Sequence, residues 1–373
     1  MNHTLELPVN ELKTVFAGLS KIIKSKPVLP VLGCIRVQSL PDGTVSFQGT
    51  DLDSFATCRL SIASGSAFPA SLVEFKPLAG LTKKARDRIT LIWDEFGQVR
   101  ARYLVGSSPV EQVLETLPPH EWPCLPEIDA TSFVVGPGFK PVLREALECV
   151  STDPSRYIVN GVCLDVSQPD CHYVVATDGR HLYTANSYRF DLTGPVVIPS
   201  LKFLNWPAFL QDGDWSVAVG SSKEEQPPWV QIQSDHWTLL TEAIKGPYPD
   251  WRQVVPDPER KVTKLTLSPQ AVTLMREALP RLPDDGRPER RVRLVVTAGT
   301  LALGAQGKGS QSWTQIPVPS VNIDGPDKQI TLDRTYLSKA LRFGFTELEI
   351  EGEEDPVLFP GVEKRMVIGP ISS

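Results

Sequence analysis

The feature that most limits how this chain can fold is a threefold internal repeat. A short extended stretch running into a helical apolar pattern occurs as Leu5-Glu-Leu-Pro-Val-Asn-Glu-Leu-Lys-Thr-Val-Phe16. It returns as Phe133-Val-Val-Gly-Pro-Gly-Phe-Lys-Pro-Val-Leu143 and as Leu265-Thr-Leu-Ser-Pro-Gln-Ala-Val-Thr-Leu-Met275, at intervals of roughly 130 residues. A second landmark, a strand end followed by a turn residue and a new apolar helix, recurs as Phe68-Pro-Ala-Ser-Leu-Val-Glu-Phe75, Ile198-Pro-Ser-Leu-Lys-Phe-Leu204 and Leu332-Asp-Arg-Thr-Tyr-Leu-Ser-Lys-Ala-Leu341. So long a period marks a repeated domain, not a solenoid unit of about 20–50 residues. Three copies of about 125 residues each match the usual domain size.

Within a copy the pattern reads helix, strands, helix, strands. Leu12, Val15, Phe16, Leu19, Ile22 and Ile23 form one apolar arc at helical period, with Lys13, Lys21 and Lys24 opposite, and the helix ends before Pro27. Val31–Gln38 and Thr44–Gly49 read as a hairpin around Pro41-Asp-Gly43, and alternation continues through Ser54–Ile62. A second helix is expected over Ala70–Lys84, kinked at Pro77. Strands follow at Ile89–Trp93 and Val99–Leu104, and Tyr173–Thr184 reads as two strands about a tight Asp178-Gly179 turn. The fold class is therefore α+β, with antiparallel sheet and two helices per copy on one sheet face. Two proline-rich stretches, Leu117–Pro126 and Pro247–Pro258, cannot sustain helix or central strand and serve as connectors. They set expected domains of 1–125, 126–255 and 256–373.

Composition narrows the function. The net charge of −6 argues against indiscriminate binding to nucleic acid. Thirty-four prolines and 26 glycines, spread along the chain, fit many turns between short strands. No apolar run approaches the length of a membrane span, and Met1–Leu7 lacks the basic and apolar regions of a signal peptide, so a cytoplasmic location is expected. The six cysteines lie far apart without zinc spacing; free thiols are expected, although Cys163 and Cys171 could flank one hairpin. No cofactor motif is present: Gly304–Ser310 lacks the spacing of a phosphate loop and reads as a turn. A hydrolase would have to use Asp178 and His181 with a nucleophile such as Ser187, but no Gly-x-Ser-x-Gly elbow accompanies them.

Basic side chains gather on the helices of this acidic chain. Lys21, Lys24 and Lys26 are joined by Lys83, Lys84 and Arg86, by Arg290 and Arg291, and by Arg334, Lys339 and Arg342. Such clustering suggests a local surface facing nucleic acid.

These residues together resemble the bacterial β sliding clamp, the processivity subunit of the replicative DNA polymerase (its β subunit, in DNA polymerase III). The resemblance is carried by Leu29-Pro-Val-Leu-Gly33, Gly49-Thr-Asp-Leu-Asp53, Arg156-Tyr-Ile-Val-Asn-Gly161, Ala176-Thr-Asp-Gly179 with Leu182, Val197-Ile-Pro199, Tyr248-Pro-Asp-Trp-Arg252, Asp355-Pro-Val-Leu358 and Met366-Val-Ile-Gly-Pro-Ile371, in family order across nearly the whole chain. It implies three clamp domains per chain and a head-to-tail homodimer forming a six-domain ring, with sheets outside and helices lining the hole. The implied protein has no catalytic activity or cofactor of its own. It encircles duplex DNA without reading sequence and docks DNA polymerase and clamp-loader subunits through short peptides.

By the same resemblance, DNA contact falls to Lys21, Lys24, Lys26, Arg156, Tyr157, Arg290 and Arg291. The partner-peptide pocket falls to Val159, Thr177, Gly179, Arg180, Leu182, Pro249, Val254, Val367, Gly369, Pro370 and Ile371. The dimer contact falls near Val113 and Leu114 on one chain and Leu279 and Leu282 on the other. Three departures stand out. The tail reads Gly369-Pro-Ile-Ser372 where the family has Met-Pro-Met-Arg, the pair Arg180-His181 reverses the family's His-Arg, and Gln112 stands where an aromatic is common. The first two bear on partner choice, and they favour as alternative a divergent clamp paralogue serving a repair or specialised polymerase.

Overall fold

The computed structural model describes residues 3–62, 67–94, 96–220, 226–257 and 260–371; Pro258 and Ser372 lie outside them. Six α-helices occur among these residues: α1 (Val9–Leu19), α2 (Phe75–Leu81), α3 (Phe139–Leu147), α4 (Pro207–Leu210), α5 (Pro269–Ala278) and α6 (Arg334–Arg342). The chain folds into two compact units. One holds residues 1–140, 190–192 and 198–245; the other holds 141–189, 193–197 and 246–373.

Among the described residues each unit contains a four-stranded and a nine-stranded antiparallel sheet. In the first unit the small sheet runs in the order His3–Pro8, Arg88–Trp93, Val99–Val105, Ser108–Leu114. The large sheet is joined across its middle where Trp237–Glu242 pairs with Ser54–Leu60, Leu239 facing Ala56. In the second unit the equivalent join pairs His181–Tyr188 with Lys364–Ile368, Tyr183 facing Met366, and the small sheet runs Trp313–Val318, Thr300–Gln306, Arg291–Thr297, Lys328–Asp333. The strands between Phe133 and Glu242 thus divide equally between the two large sheets.

The apolar arc of α1 is buried, Leu12 and Leu19 completely, and it continues through Ile22 and Ile23 in a turn that ends the helix. Phe16 meets Phe75 of α2 edge-on at 5.8 Å. The expected second helix is shorter than its sequence suggests. Ser71–Glu74 is a strand paired with Cys34–Ser39, its Leu72 and Val73 fully buried, and the helix starts only at Phe75. Sheet pairing outweighs local helical pattern there. Pro77 consequently sits in the first helical turn, where its missing N–H costs nothing, and it makes no kink. All six cysteines are free. Burial pushes the Cys34 thiol up to about 11 and Cys149 to about 12, so both stay protonated.

Candidate binding sites

The second unit assembles most of the residues assigned to peptide docking around one tight turn. Strands His172–Thr177 and His181–Tyr188 are closed by Thr177–His181, where Gly179 has φ +85°. Thr177 Oγ1 donates to His181 O at 2.6 Å and accepts from Gly179 N at 3.0 Å. Asp178 Oδ1 accepts the backbone N–H groups of Arg180 and His181. The C-terminal strand lies alongside, Leu182 opposite Val367, and the tail is fixed by Gly369 N to Arg180 O at 2.9 Å and by Ile371 N to Thr331 O at 2.8 Å. A Cβ on Gly369 would stand 3.2 Å from Arg180 O, a tight approach that favours glycine.

Leu182, Val367 and Val159 are each buried, while Gly369, Pro370 and Ile371 are half-buried and Pro249 and Val254 are exposed. The connector holding the last two is anchored by Asp165. Its carboxylate, buried in the strand Gly161–Asp165, accepts Trp251 Nε1 at 2.8 Å and Arg252 Nη1 at 2.9 Å. Burial opposes that charge, but bonds from Ser167, Trp251 and Arg252 outweigh it and hold the carboxyl below its usual value. On the same connector Tyr248 lies beside the Thr177 backbone, its phenol pushed up by burial.

The Asp178–His181 pair is real, but its surroundings are not those of a hydrolase. His181 Nδ1 lies 2.8 Å from Asp178 Oδ1, Tyr336 donates to Asp178 Oδ2 at 2.8 Å, and His181 Nε2 faces the Lys339 ammonium at 3.1 Å. A general base needs its free nitrogen on a nucleophile; here that nitrogen meets a cation. Ser187 is exposed six residues along the strand, on the order of 20 Å away at about 3.3 Å per residue.

The basic residues divide. In the first unit Lys21, Lys24 and Lys26 are exposed. Lys24 pairs with Asp51 at 3.4 Å, and it lines with Lys21, Lys76 and Lys202 a cleft of ≈ 770 Å³. In the second unit Tyr157 is 60% exposed. Arg156 is exposed yet donates through Nη1 to Asp178 O at 2.9 Å, bracing the turn. Arg290 projects outward with Asp284 at 3.8 Å, while Arg291 is half-buried at the start of its strand. The basic set on α6 requires a correction. Arg334 is buried and bonds Leu282 O and Asp284, Lys339 bonds Glu148 O and His181, and Arg342 pairs with Glu148. Arg334 and Lys339 are thus tied up inside the unit by partners far off in sequence, while Arg342 stays half exposed in its ion pair.

Of the four residues assigned to a dimer contact, Val113 is 55% exposed, whereas Leu114, Leu279 and Leu282 are 5% exposed or less. Leu114 and Leu279 are packed into their own cores, whereas Val113 is exposed and Leu282, though mostly buried, lines a surface cleft with Leu274, Ala278 and Ile316. Sequence reasoning missed Asp165, Glu289, Tyr336 and the partner-bound role of Lys339. Glu289 pairs with Arg180 at 2.8 Å. Their signals are single polar residues whose partners come from other segments.

No family model matches the chain. In sequence it is similar to the beta sliding clamp of Streptococcus pneumoniae R6, 22% identical over 350 residues, covering 86% of this chain and 85% of that protein. It is also 21% identical to the beta sliding clamp of Borreliella burgdorferi over 225 residues, 59% of this chain and only 56% of the relative. Among solved structures, the Bacillus subtilis DNA polymerase sliding clamp matches with a TM-score of 0.85 at 19% identity, covering 100% of both chains. A Bartonella birtlesii DnaN sliding clamp (DNA polymerase III subunit beta) bound to griselimycin matches at 0.83 and 19%, again covering 100% of both. The chain has the fold of these clamps and is a divergent relative of them in sequence.

Proposed function

We propose that this chain is a DNA sliding clamp that confers processivity on a replicative DNA polymerase. The observation that carries the reading is a likeness in sequence across 86% of the chain, joined by a likeness in fold across its whole length. On this reading the chain comprises domains 1–125, 126–255 and 256–373, and two copies close head to tail into a six-domain ring in the cytoplasm. Ring closure suits the sheet edges. Strand Ser108–Leu114 ends the small sheet of the first unit, and Trp313–Val318 ends that of the second. An edge strand presents unpaired main-chain groups that seek a partner strand, and a heterologous contact made twice around a closing rotation yields a ring. Val113 projects from the first edge, and a cleft of ≈ 280 Å³ lined by Leu274, Ala278, Leu282 and Ile316 adjoins the second.

Lys21, Lys24, Lys26, Arg156, Tyr157 and Arg290, with Arg291 set deeper, would face duplex DNA. Contacts to phosphate carry no sequence information and weaken steeply with salt, which suits a ring that must slide. A floor of Leu182, Val367 and Val159, with a rim of Pro249, Val254 and the tail, would take the apolar anchors of a partner peptide. Tethering then works by effective concentration, since a polymerase held on a ring cannot diffuse from the primer end. Opening such a ring requires a separate loader. Gly369 and the Arg180-His181 order support a second reading, a clamp paralogue with an altered partner set.

The deciding experiment adds this protein and its loader to a replicative polymerase on primed DNA. Longer products on circular but not on linear templates are expected. Equal stimulation on both, or a protein that stays monomeric at micromolar concentration, would sink the ring.

A further inference from the structure

We propose that Lys339 is a positioning residue for the docking turn: its ammonium locks His181 in one neutral tautomer, and through that ring it holds Thr177–His181 in the shape that seats the C-terminal tail. The use of the turn in docking rests on the function proposed above; the locking of the ring does not.

An ammonium has only donors to offer, so at 3.1 Å from Lys339 Nζ the imidazole Nε2 must accept. The ring proton is thereby placed on Nδ1, which donates to Asp178 Oδ1 at 2.8 Å. That oxygen also accepts the backbone N–H groups of Arg180 and His181, so the ring and the turn share one anchor. Tyr336, stacked on the His181 ring at 4.2 Å, donates to the other carboxylate oxygen. Lys339 is itself fixed, because it bonds Glu148 O at the end of α3. The product of this arrangement is the position of Arg180 O, which receives Gly369 N and so lays the tail beside the turn.

His181 is almost wholly enclosed. The groups facing it are Asp178 on the turn, Lys339 and Tyr336 on α6 and Asp333 at the α6 N-cap, with Glu148 and Cys149 behind the lysine. Protonation would set a second N–H against the ammonium. Without Lys339, Asp178 and Asp333 would be opposed by burial alone, and protonation of the ring would move toward neutral pH. Burial and Lys339 both act to keep the ring neutral, against the pull of Asp178.

The test uses the full chain with ¹⁵N-histidine, as wild type, Lys339→Met and Lys339→Arg, with His181→Gln to assign the signal. Two-bond ¹H–¹⁵N spectra report tautomer and protonation directly. Wild type should show the Nδ1–H tautomer and no titration of His181 between about pH 7.5 and 5.5. Lys339→Met should titrate within that window, and Lys339→Arg, which restores a donor, should behave as wild type. On the further premise that griselimycin, bound in the Bartonella birtlesii clamp, seats at this turn, calorimetry should give a pH-independent affinity in wild type and about a tenfold loss at the acidic end in Lys339→Met. The same His181 titration in wild type and Lys339→Met overturns the lock. Failure of wild type to bind griselimycin counts against the docking reading alone, and the spectra still decide the lock.

Discussion

Thr50–Ser54 in the first unit and Thr177–His181 in the second close their hairpins with one hydrogen-bond skeleton. Thr50 Oγ1 donates to Ser54 O at 2.8 Å and accepts Leu52 N at 3.0 Å, as Thr177 does with His181 and Gly179. Asp51 accepts Ser54 N at 3.0 Å, as Asp178 accepts His181 N. Even the neighbouring strand repeats the contact, Glu242 N to Asp53 O matching Gly369 N to Arg180 O, both at 2.9 Å. Side chains then separate the two. Leu52 holds φ +85° against steric resistance where Gly179 holds it freely. Ser54 shares a hydroxyl pair with Thr241, whereas His181 sits inside an ionic network of Asp178, Tyr336 and Lys339. The connectors differ in the same direction, since Trp122 is held by the neutral Gln48 and Trp251 by the carboxylate of Asp165. Backbone architecture is common to both units; charge-dependent rigidity is concentrated in the second.

The largest test of that contrast lies in the connectors. Asp165→Ala leaves Arg252 and Trp251 without their acceptor and should cost about 3 kcal/mol, reduced from the fully buried case because Arg252 is a third exposed. Gln48→Ala removes a neutral bond and should cost about 1 kcal/mol. Denaturant unfolding that gave equal losses would refute the asymmetry.

Exchanging the turn residues comes next. Gly179→Leu forces a side chain to φ +85° and places its Cβ 2.8 Å from Arg156 Nη1. The expected cost is about 2 kcal/mol, with weaker peptide binding. The reverse change, Leu52→Gly, should stabilise by roughly 0.5 kcal/mol, relief of about 1–2 less the glycine entropy of about 0.5–1. A destabilised Leu52→Gly would mean that this leucine makes contacts worth more than its strain.

Acid should distinguish the units as well. His181 is depressed in the fold, so its contribution is complete above the ordinary histidine value of about 6.5 and is lost as pH falls toward the folded value. Asp178 is also depressed. Burial opposes its charge, but His181, Arg180 N–H and Tyr336 prevail, so its contribution is lost only below about pH 3.9. Amide exchange at 177–181 should therefore accelerate on going from about pH 7.5 to 5.5, after correction for intrinsic rates, while 50–54 stays level. Acceleration at both turns would assign the effect to something other than His181.

The smallest expected change in stability is at the tail. Glu242 occupies in the first unit the place that Gly369 holds in the second, so a Cβ is compatible with that bond. Gly369→Met should cost less than about 1 kcal/mol while shifting peptide preference toward that of the common family tail. A large loss of stability would show that the 3.2 Å approach to Arg180 O cannot relax.

What the sequence makes legible follows from the range of the interaction involved. The α1 stripe and the Asp-Gly turn are local patterns, and both are found where periodicity and turn chemistry place them. Ser71–Glu74 reads as helix until its strand partners are known, because Cys34–Ser39 lies some thirty residues upstream. Lys339 and Arg334 look like surface charges on an amphipathic helix. Only the folded unit supplies Glu148, His181 and the carbonyl of Leu282. Leu114 and Leu279 are buried in their own cores for the same reason, since apolar character alone does not say which core a side chain joins.

The seam inside each nine-stranded sheet has one more implication. Between Ser54–Leu60 and Trp237–Glu242 two segments far apart in sequence are stitched through five paired positions. Ladder hydrogen bonds join main-chain groups, so the pairing itself is indifferent to which side chains the seam carries, provided they fill the same buried space. A chain that keeps only 19% of the residues of a solved relative while superimposing on all of it at a TM-score of 0.85 is what that indifference permits.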